Sequence, residues 1–425
     1  MNIFFFCSSC KQYFFHIIIF FFQHELLTSS QWGFTQLHLN RPEQGNTLNY
    51  SLIKKLQRAL RLKEDGNVTK ILLLKGRFHE RASEMLLPSV YEKAYSTGPD
   101  WGEIMNNRAN NRMDLVYQFF KEQYNLCIQT YNFQKPLMAL MNGTVSSSGA
   151  GLALHCGMRL STATTLFAMP ETGFGFIPDC GQTFQLSKLE KNLGTYLALT
   201  GRRVHGFDLK HLGLATHHVI LGCENKMGET LGNAWTSDYS QFLHLMEVFE
   251  CTATPFSLGQ HVDMIDKCFS KDTVEGIMDA LKNNYNKFTD RTLKTLEEKS
   301  PLSLKLTLEA LRMRNRENKD LRDSILNEWR VVKRILQDPN SDLYNGLYHT
   351  VLSGKSYPNK KLKWNHSSAR DVPESLVKSY FEPLESAQED QFAIEIEDVK
   401  QKLFFFFLKQ ILSSFFFFLV IETYW

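Results

Sequence analysis

The chain has 425 residues, 43% hydrophobic and 22% charged, with a formal net charge of +3. These values fit a globular protein with one large domain and an appendage, or with two domains. They argue against strong attraction to nucleic acid or to an acidic membrane, and eight cysteines without a spacing framework favour a reducing compartment.

The ends stand apart. Of 33 phenylalanines, eight lie in residues 1–23 and eight in 401–425. These apolar runs fall short of the ~20 residues that a helix needs to span a bilayer. The first 30 residues hold one Lys and no Arg, a poor match to a mitochondrial transit peptide. Cys7-Ser-Ser-Cys10 lies outside any βαβ pattern and is not read as a redox or metal site. Poly-Phe is what T-rich DNA gives on translation. Residues 1–30 and 371–425 are therefore expected to lie outside the fold, as artefacts of gene prediction or, at the C-terminal end, as disordered tail.

In chain order, Thr35–Asn40 alternates as a strand does and is turned by Arg41-Pro42. Asn46–Asn49 leads into a helix with Leu52, Ile53, Leu56, Leu60 and Leu62 along one side, ended by Gly66. Thr69–Lys75 is a buried-type strand. Residues 77–115 read as irregular with short helices, and Leu115–Asn132 as a helix. Pro136–Asn142 is a strand, Gly143–Ser148 a loop, and Gly149–Cys156 a helix of small residues suited to close packing. Short strands follow at Met158–Ala163 and Leu166–Met169. Lys188–Leu199 and Val204–Leu212 read as helices, and His217–Ile220 as a last strand. Beyond about residue 225 the period is helical, most clearly at Leu302–Met313 and Leu321–Leu336. After Ser353 polar residues dominate. The alternation predicts an α/β fold, with domains at 31–225 (core) and 226–370 (helical).

Pro136–Asp179 is where chemistry is most legible. An apolar strand runs into a small-residue loop and a helix start, and two carboxylates follow, each directly after a proline: Pro170-Glu171 and Pro178-Asp179. Phe167, Met169, Phe174, Phe176 and Ile177 would give Glu171 the dry surroundings that raise a carboxylate's basicity. The plain structural readings are a solvated turn carboxylate for Glu171 and a helix cap for Asp179. The histidines at 205, 211, 217 and 218 with Cys223 match no metal-ligand spacing, and no metal is expected. Ser146–Ser148 lacks the flanking glycines of a nucleophile elbow.

The chain resembles the crotonase (enoyl-CoA hydratase/isomerase) superfamily, in its 3-hydroxyisobutyryl-CoA hydrolase branch. The matching residues are Leu39-Asn-Arg-Pro42, Phe119–Tyr124, Gln134-Lys-Pro136, Gly143–Gly151, Leu166–Thr172, Phe176–Asp179, Leu197–Gly201, Gly213–His217 and Ser300–Lys305. They cover roughly residues 34 to 364. The resemblance implies a spiral of β-β-α turns with a helical C-terminal region, mitochondrial location, an acyl-CoA substrate and no cofactor beyond the CoA that the substrate carries. It implies Glu171 beside the thioester carbonyl, attacking it or activating water, and Asp179 orienting the substrate hydroxyl or serving as a second acid/base. The backbone N–H of Ser148, beside Gly149, would donate to the thioester oxygen. Gln123 stands where the branch has a substrate-binding Glu. The family's Cys-Ala-Gly-Gly-Asp-like loop is aligned with Phe78–Ser83, placing the first oxyanion donor near Ala82. Serines at 147 and 148 replace glycines, and an insertion lies between about Met85 and Asn111. These departures keep a second reading open: a non-catalytic crotonase-fold subunit of a mitochondrial assembly such as the mitochondrial ribosome. No DNA partner and no membrane span are expected, and the oligomeric state is left open.

Overall fold

Alternation places Phe34, Leu37 and Leu39 in the core, and the strand that carries them, β2 (Phe34–Leu39), is the second of ten among the described residues. The structure is a computed structural model that describes residues 24–31, 33–78, 94–233, 239–252, 254–349 and 362–385. Strand β1 (Leu26–Gln31) pairs antiparallel with β2, from Leu26 opposite Leu39 to Gln31 opposite Phe34. The fold therefore reaches into the stretch expected to lie outside it, because these residues complete the sheet edge.

β2 is followed by α1 (Tyr50–Asp65). The Asn49 side chain caps this helix by accepting from the Leu52 N–H, and Leu52, Ile53, Leu56 and Leu60 are buried. Leu62, predicted on the same side, is 61% exposed. Then come β3 (Ile71–Gly76), β4 (Ala94–Ser96), α2 (Trp101–Ala109), α3 (Met113–Tyr131), β5 (Leu137–Met141), β6 (Thr144–Ser146), α4 (Ser147–Leu154), β7 (Met158–Ser161) and β8 (Leu166–Ala168). Residues 77–115 thus hold an expected short helix, α2, and a strand, β4, that periodicity missed, and β6 occupies part of the expected loop.

From β3 to β8, consecutive strands alternate between two sheets. One sheet has the order β1-β2-β3-β5-β7-β10 and the other β4-β6-β8-β9. β2, β3, β5, β7 and β10 run parallel, as do β4, β6 and β8. Each turn of the chain contributes one strand to each sheet and then a helix, which is the crotonase-like α/β spiral. The sharp corner between β5 and β6 falls on Gly143, at φ +75°.

After β8 come α5 (Gln182–Leu186), α6 (Leu193–Thr200), β9 (Val204–His205), α7 (Asp208–His211) and β10 (His217–His218). The helix expected over Val204–Leu212 is instead β9 and the single turn α7. Val204 pairs with Phe167 at the sheet edge, a tertiary pairing that outweighs the local period. The helix expected over Lys188–Leu199 begins only at Leu193.

The remaining elements are helical: α8 (Glu224–Gly232), α9 (Tyr239–Met246), α10 (Val262–Phe269), α11 (Val274–Asn283), α12 (Lys287–Glu297), α13 (Pro301–Arg316), α14 (Leu321–Gln337), α15 (Asp342–Leu347) and α16 (Glu374–Ser379). α8 and α9 cover one face of the large sheet, with Met227, Leu231, Phe242 and Met246 on Phe34, Leu73, Met138 and Leu160. α16 lies past residue 370, where a loose tail was expected; Val372, Val377, Tyr380 and Phe381 are buried there. Among the described residues, no helix is long and apolar enough to cross a membrane.

Candidate active site

Two parallel strands deliver two loops to one place. β6 runs into the N-terminus of α4, and its neighbour β4 runs into Thr97-Gly98. The loops touch: the Ser146 hydroxyl donates to the Thr97 carbonyl at 3.2 Å, and a Cβ on Gly98 would lie 2.6 Å from that of Ser147. Gly149 packs as closely, since a Cβ there would fall 2.5 Å from the Ser96 carbonyl oxygen. Both contacts require glycine. Gly98 also holds φ +106°, which side chains resist.

Ser147 adopts φ +49°, the left-handed conformation that serine reaches only at some cost. The Gln182 side chain holds it there, donating to the Ser147 carbonyl at 2.6 Å. Ser148 and Gly149 follow in the first turn of α4, both buried. N–H groups in a helix's first turn have no intrahelical acceptor and sit at the positive end of its dipole. This is the geometry that can receive a developing oxyanion.

Ala82 lies outside the described residues. The segment set against Ser146–Ser148 is Ser96–Gly98. Ser96-Thr97-Gly98-Pro99-Asp100 shares the Gly and the Asp of the family's Cys-Ala-Gly-Gly-Asp-like loop. Asp100 closes this loop, accepting from Arg41 Nη2 at 2.7 Å and capping α2 through the Glu103 N–H at 3.1 Å.

Glu171 opens a 3₁₀ turn, Glu171–Phe174, directly after Pro170. It is not a solvated turn residue, being 1% exposed. Phe167, Met169, Phe174, Phe176 and Ile177 are all buried around it, as the sequence predicts. Trp101 of α2 adds an aromatic wall that the sequence did not reveal, meeting Phe176 edge-on at 5.4 Å and Phe174 at 6.0 Å. Neither carboxylate oxygen of Glu171 has a hydrogen-bond partner among the described residues. Burial pushes its pKa up to about 8; the Ser147 hydroxyl lies near enough to oppose that shift without completing a hydrogen bond, and the charge of Asp179 adds to it.

Asp179 is also buried. Its Oδ2 accepts from the Tyr124 hydroxyl at 2.9 Å, and burial pushes its pKa up to about 7 against the pull of Tyr124 and Cys180. Gln123, next to Tyr124 on α3, donates to the Cys180 sulfur at 3.1 Å and leaves its own carbonyl oxygen unpaired. The structure thus brings Glu171, Asp179, Gln123, Ser148 and Gly149 into one neighbourhood. Among the described residues, buried polar atoms without a partner concentrate there: both Glu171 oxygens, Ser148 Oγ, Gln123 Oε1 and Gln182 Oε1. Buried polar atoms are ordinarily satisfied, so such a group marks a place where a polar ligand belongs.

The C-terminal helices buttress this neighbourhood. The Ser300 N–H donates to the Thr172 carbonyl at 3.0 Å. Gly346 of α15 presses on Phe174, where a Cβ would meet backbone at 2.2 Å. Glu328 of α14 binds the turn after Asp179. Tyr124, Gln182 and Glu328 were not singled out from the sequence, since nothing local marks a residue whose partners lie far along the chain.

A cavity of about 930 Å³ lies elsewhere, between the C-terminal ends of α3 and α4 and the start of α6. Two of its cations serve backbone carbonyls: Arg159 donates to Leu214, Cys156 and Gly213, and Lys135 to Lys63 and Gly66, while Lys210 pairs with Glu250 and Lys191 with Asp266. No group of three or more His, Cys, Asp or Glu among the described residues is placed to hold a metal ion.

The enoyl-CoA hydratase/isomerase family model matches residues 34–381. Among curated proteins, a probable 3-hydroxyisobutyryl-CoA hydrolase 3 of Arabidopsis thaliana is 30% identical over 375 residues, covering 86% of this chain and 93% of the relative. A 3-hydroxyisobutyryl-CoA hydrolase of Danio rerio, named mitochondrial, is 31% identical over 353 residues, covering 82% and 86%. Among solved structures, a carnitinyl-CoA dehydratase from Mycobacterium thermoresistibile superposes with a TM-score of 0.75 at 26% identity, covering 88% of this chain and 100% of that one.

Proposed function

The chain belongs to the enoyl-CoA hydratase/isomerase (crotonase) family, and from that membership and the geometry of Glu171 we propose that it hydrolyses an acyl-CoA thioester of the 3-hydroxyisobutyryl-CoA type. The products are 3-hydroxyisobutyrate, an intermediate of valine breakdown, and free CoA. The observation that carries this reading is a fully buried glutamate with no hydrogen-bond partner among the described residues, set beside a helix N-terminus.

The thioester oxygen sits against the first N–H groups of α4, at Ser148 and Gly149, with the Thr97-Gly98 loop opposite. These donors polarise the carbonyl and stabilise the charge that develops on it. Glu171 acts on the carbonyl carbon, as nucleophile or as the base that takes a proton from an attacking water. Either route needs the ionised carboxylate, and burial makes that carboxylate a stronger base. Asp179, held by Tyr124, and Gln123 receive the hydroxyl of the acyl group. The thiolate of CoA leaves, and no cofactor is called for. The mitochondrial name of the Danio rerio relative supports a mitochondrial location.

The test offers the purified full-length chain 3-hydroxyisobutyryl-CoA and isobutyryl-CoA, which lacks the hydroxyl, and reads free thiol. The expected result is release from both, with kcat/KM higher for the hydroxylated substrate by ~10-fold or more, the worth of one buried hydrogen bond to a charged group. No release above background from either would overturn the hydrolase reading. Co-sedimentation with mitochondrial ribosomes would then favour the non-catalytic subunit.

A further inference from the structure

α14 sends an apolar stripe of Ile325, Trp329, Val332 and Leu336 into the core. Glu328 interrupts that stripe and is completely buried. Its Oε2 accepts from the Gly181 N–H at 2.7 Å, and its Oε1 from the Thr183 N–H at 3.1 Å and the Thr183 hydroxyl at 2.5 Å. An apolar side chain would fill this volume without the desolvation cost of a carboxylate. What the carboxylate adds is a grip on backbone donors.

The gripped turn is strained. Cys180 and Gly181 hold φ +60° and +73°, and a Cβ on Gly181 would fall 2.4 Å from Leu321 Cδ1. Asp179 directly precedes these residues. Gln182, whose amide holds the Ser147 carbonyl, lies between the two residues that Glu328 grips. One carboxylate therefore fixes a turn that carries Asp179 at one end and the support of the α4 N-terminus at the other. The titratable groups facing Glu328 are Asp179 and Cys180 on the turn, Tyr124 on α3, and His155, whose Nε2 lies close to Gly181.

We propose that Glu328 is a positioning residue of the thioester site: it holds the Asp179–Thr183 turn, and through Gln182 the Ser147 loop, in register with Glu171. That the register serves catalysis rests on the thioesterase reading above. The grip on the turn does not.

Two measurements on the full-length chain separate the grip on the turn from its consequence for catalysis. In the first, N-ethylmaleimide labelling of Cys180 is followed by peptide mass spectrometry, with half-buried Cys223 as internal standard. Glu328→Ala frees the turn and is expected to raise Cys180 labelling ~10-fold or more relative to Cys223, the change that ~1.4 kcal/mol of lost local protection gives. Cys127 and Cys156 stay protected. Should they label as well, the variant has unfolded, and Glu328→Gln, which keeps the shape and one acceptor, replaces it. Unchanged Cys180 labelling in the variant that stays folded overturns the holding role. In the second, thiol release is followed against pH for wild type and Glu328→Gln. The expected result is a fall in kcat of ~10-fold or more with KM within ~2-fold, at every pH. An unchanged kcat overturns the role in catalytic register. If the wild type cleaves no thioester, the thioesterase reading fails and the catalytic register with it, while Cys180 labelling still decides the holding role.

Discussion

Two glutamates, Glu171 and Glu328, are buried on either side of Asp179, and their surroundings differ in one respect. Glu328 accepts three hydrogen bonds, from Gly181 and Thr183. Glu171 accepts none among the described residues. Burial pushes both pKa values up to about 8, so dryness alone does not distinguish them. Pairing does. A buried carboxylate whose lone pairs are used by the protein holds structure, and one whose lone pairs are unused is available to a reacting carbonyl or a water.

Removing Glu328 should have the largest effect on folding. Glu328→Ala leaves two backbone N–H groups and a hydroxyl without acceptors and opens a cavity, at a cost of ~3 kcal/mol or more in urea unfolding. The matching Glu171→Ala change strands no donor and should cost clearly less. If the two variants lose equal stability, the distinction fails.

Gly98→Ala tests the loop on the other side of the thioester. A Cβ there meets Ser147 at 2.6 Å on a backbone with φ +106°. Displacing one oxyanion donor should lower kcat ~10²–10³-fold with the global fold retained by circular dichroism. A variant with wild-type kcat would remove Thr97-Gly98 from the site.

A smaller effect comes from the pH dependence of stability. Glu171, Asp179 and Glu328 all hold folded-state pKa values above those of free side chains. The folded protein therefore keeps protons that the unfolded chain releases. Their stabilising contribution is complete below the unfolded values near pH 4 and is lost as pH rises through about 7 to 8. Glu171→Gln removes one of these losses. Its melting temperature should exceed that of the wild type by ~2 °C or more at pH 8.5, with a smaller gain at pH 5. A gain that is larger at pH 5 would contradict the burial of an ionisable, unpaired carboxylate.

Much of this was legible in the sequence where local pattern decides. The capped helix from Asn49, the strands at 34–39 and 137–141, and the apolar shell around Glu171 follow from alternation, helical period and proline placement. Glu171, Asp179 and the Ser148-Gly149 pair follow from motifs carried by short continuous stretches. What was hidden depends on distant pairing. β9 forms because Val204 meets Phe167, although its own period reads as helix. The loop Ser96–Asp100 went unread because its place beside Ser146–Ser148 comes from the pairing of β4 with β6. Nothing near Glu328 announces that its partners are Gly181 and Thr183.

The central claim is that Glu171, left unpaired by the protein, does chemistry on a thioester. The most direct measurement is the rate of thiol release from 3-hydroxyisobutyryl-CoA by Glu171→Gln beside the wild type, across pH 5 to 9. The account predicts a wild-type rate that climbs through neutrality and levels above about pH 8, where the Glu171 carboxyl is ionised. It predicts a folded variant slower by ~10²–10⁴-fold at every pH. A variant with wild-type turnover, or a wild-type rate already level near pH 5, would contradict it.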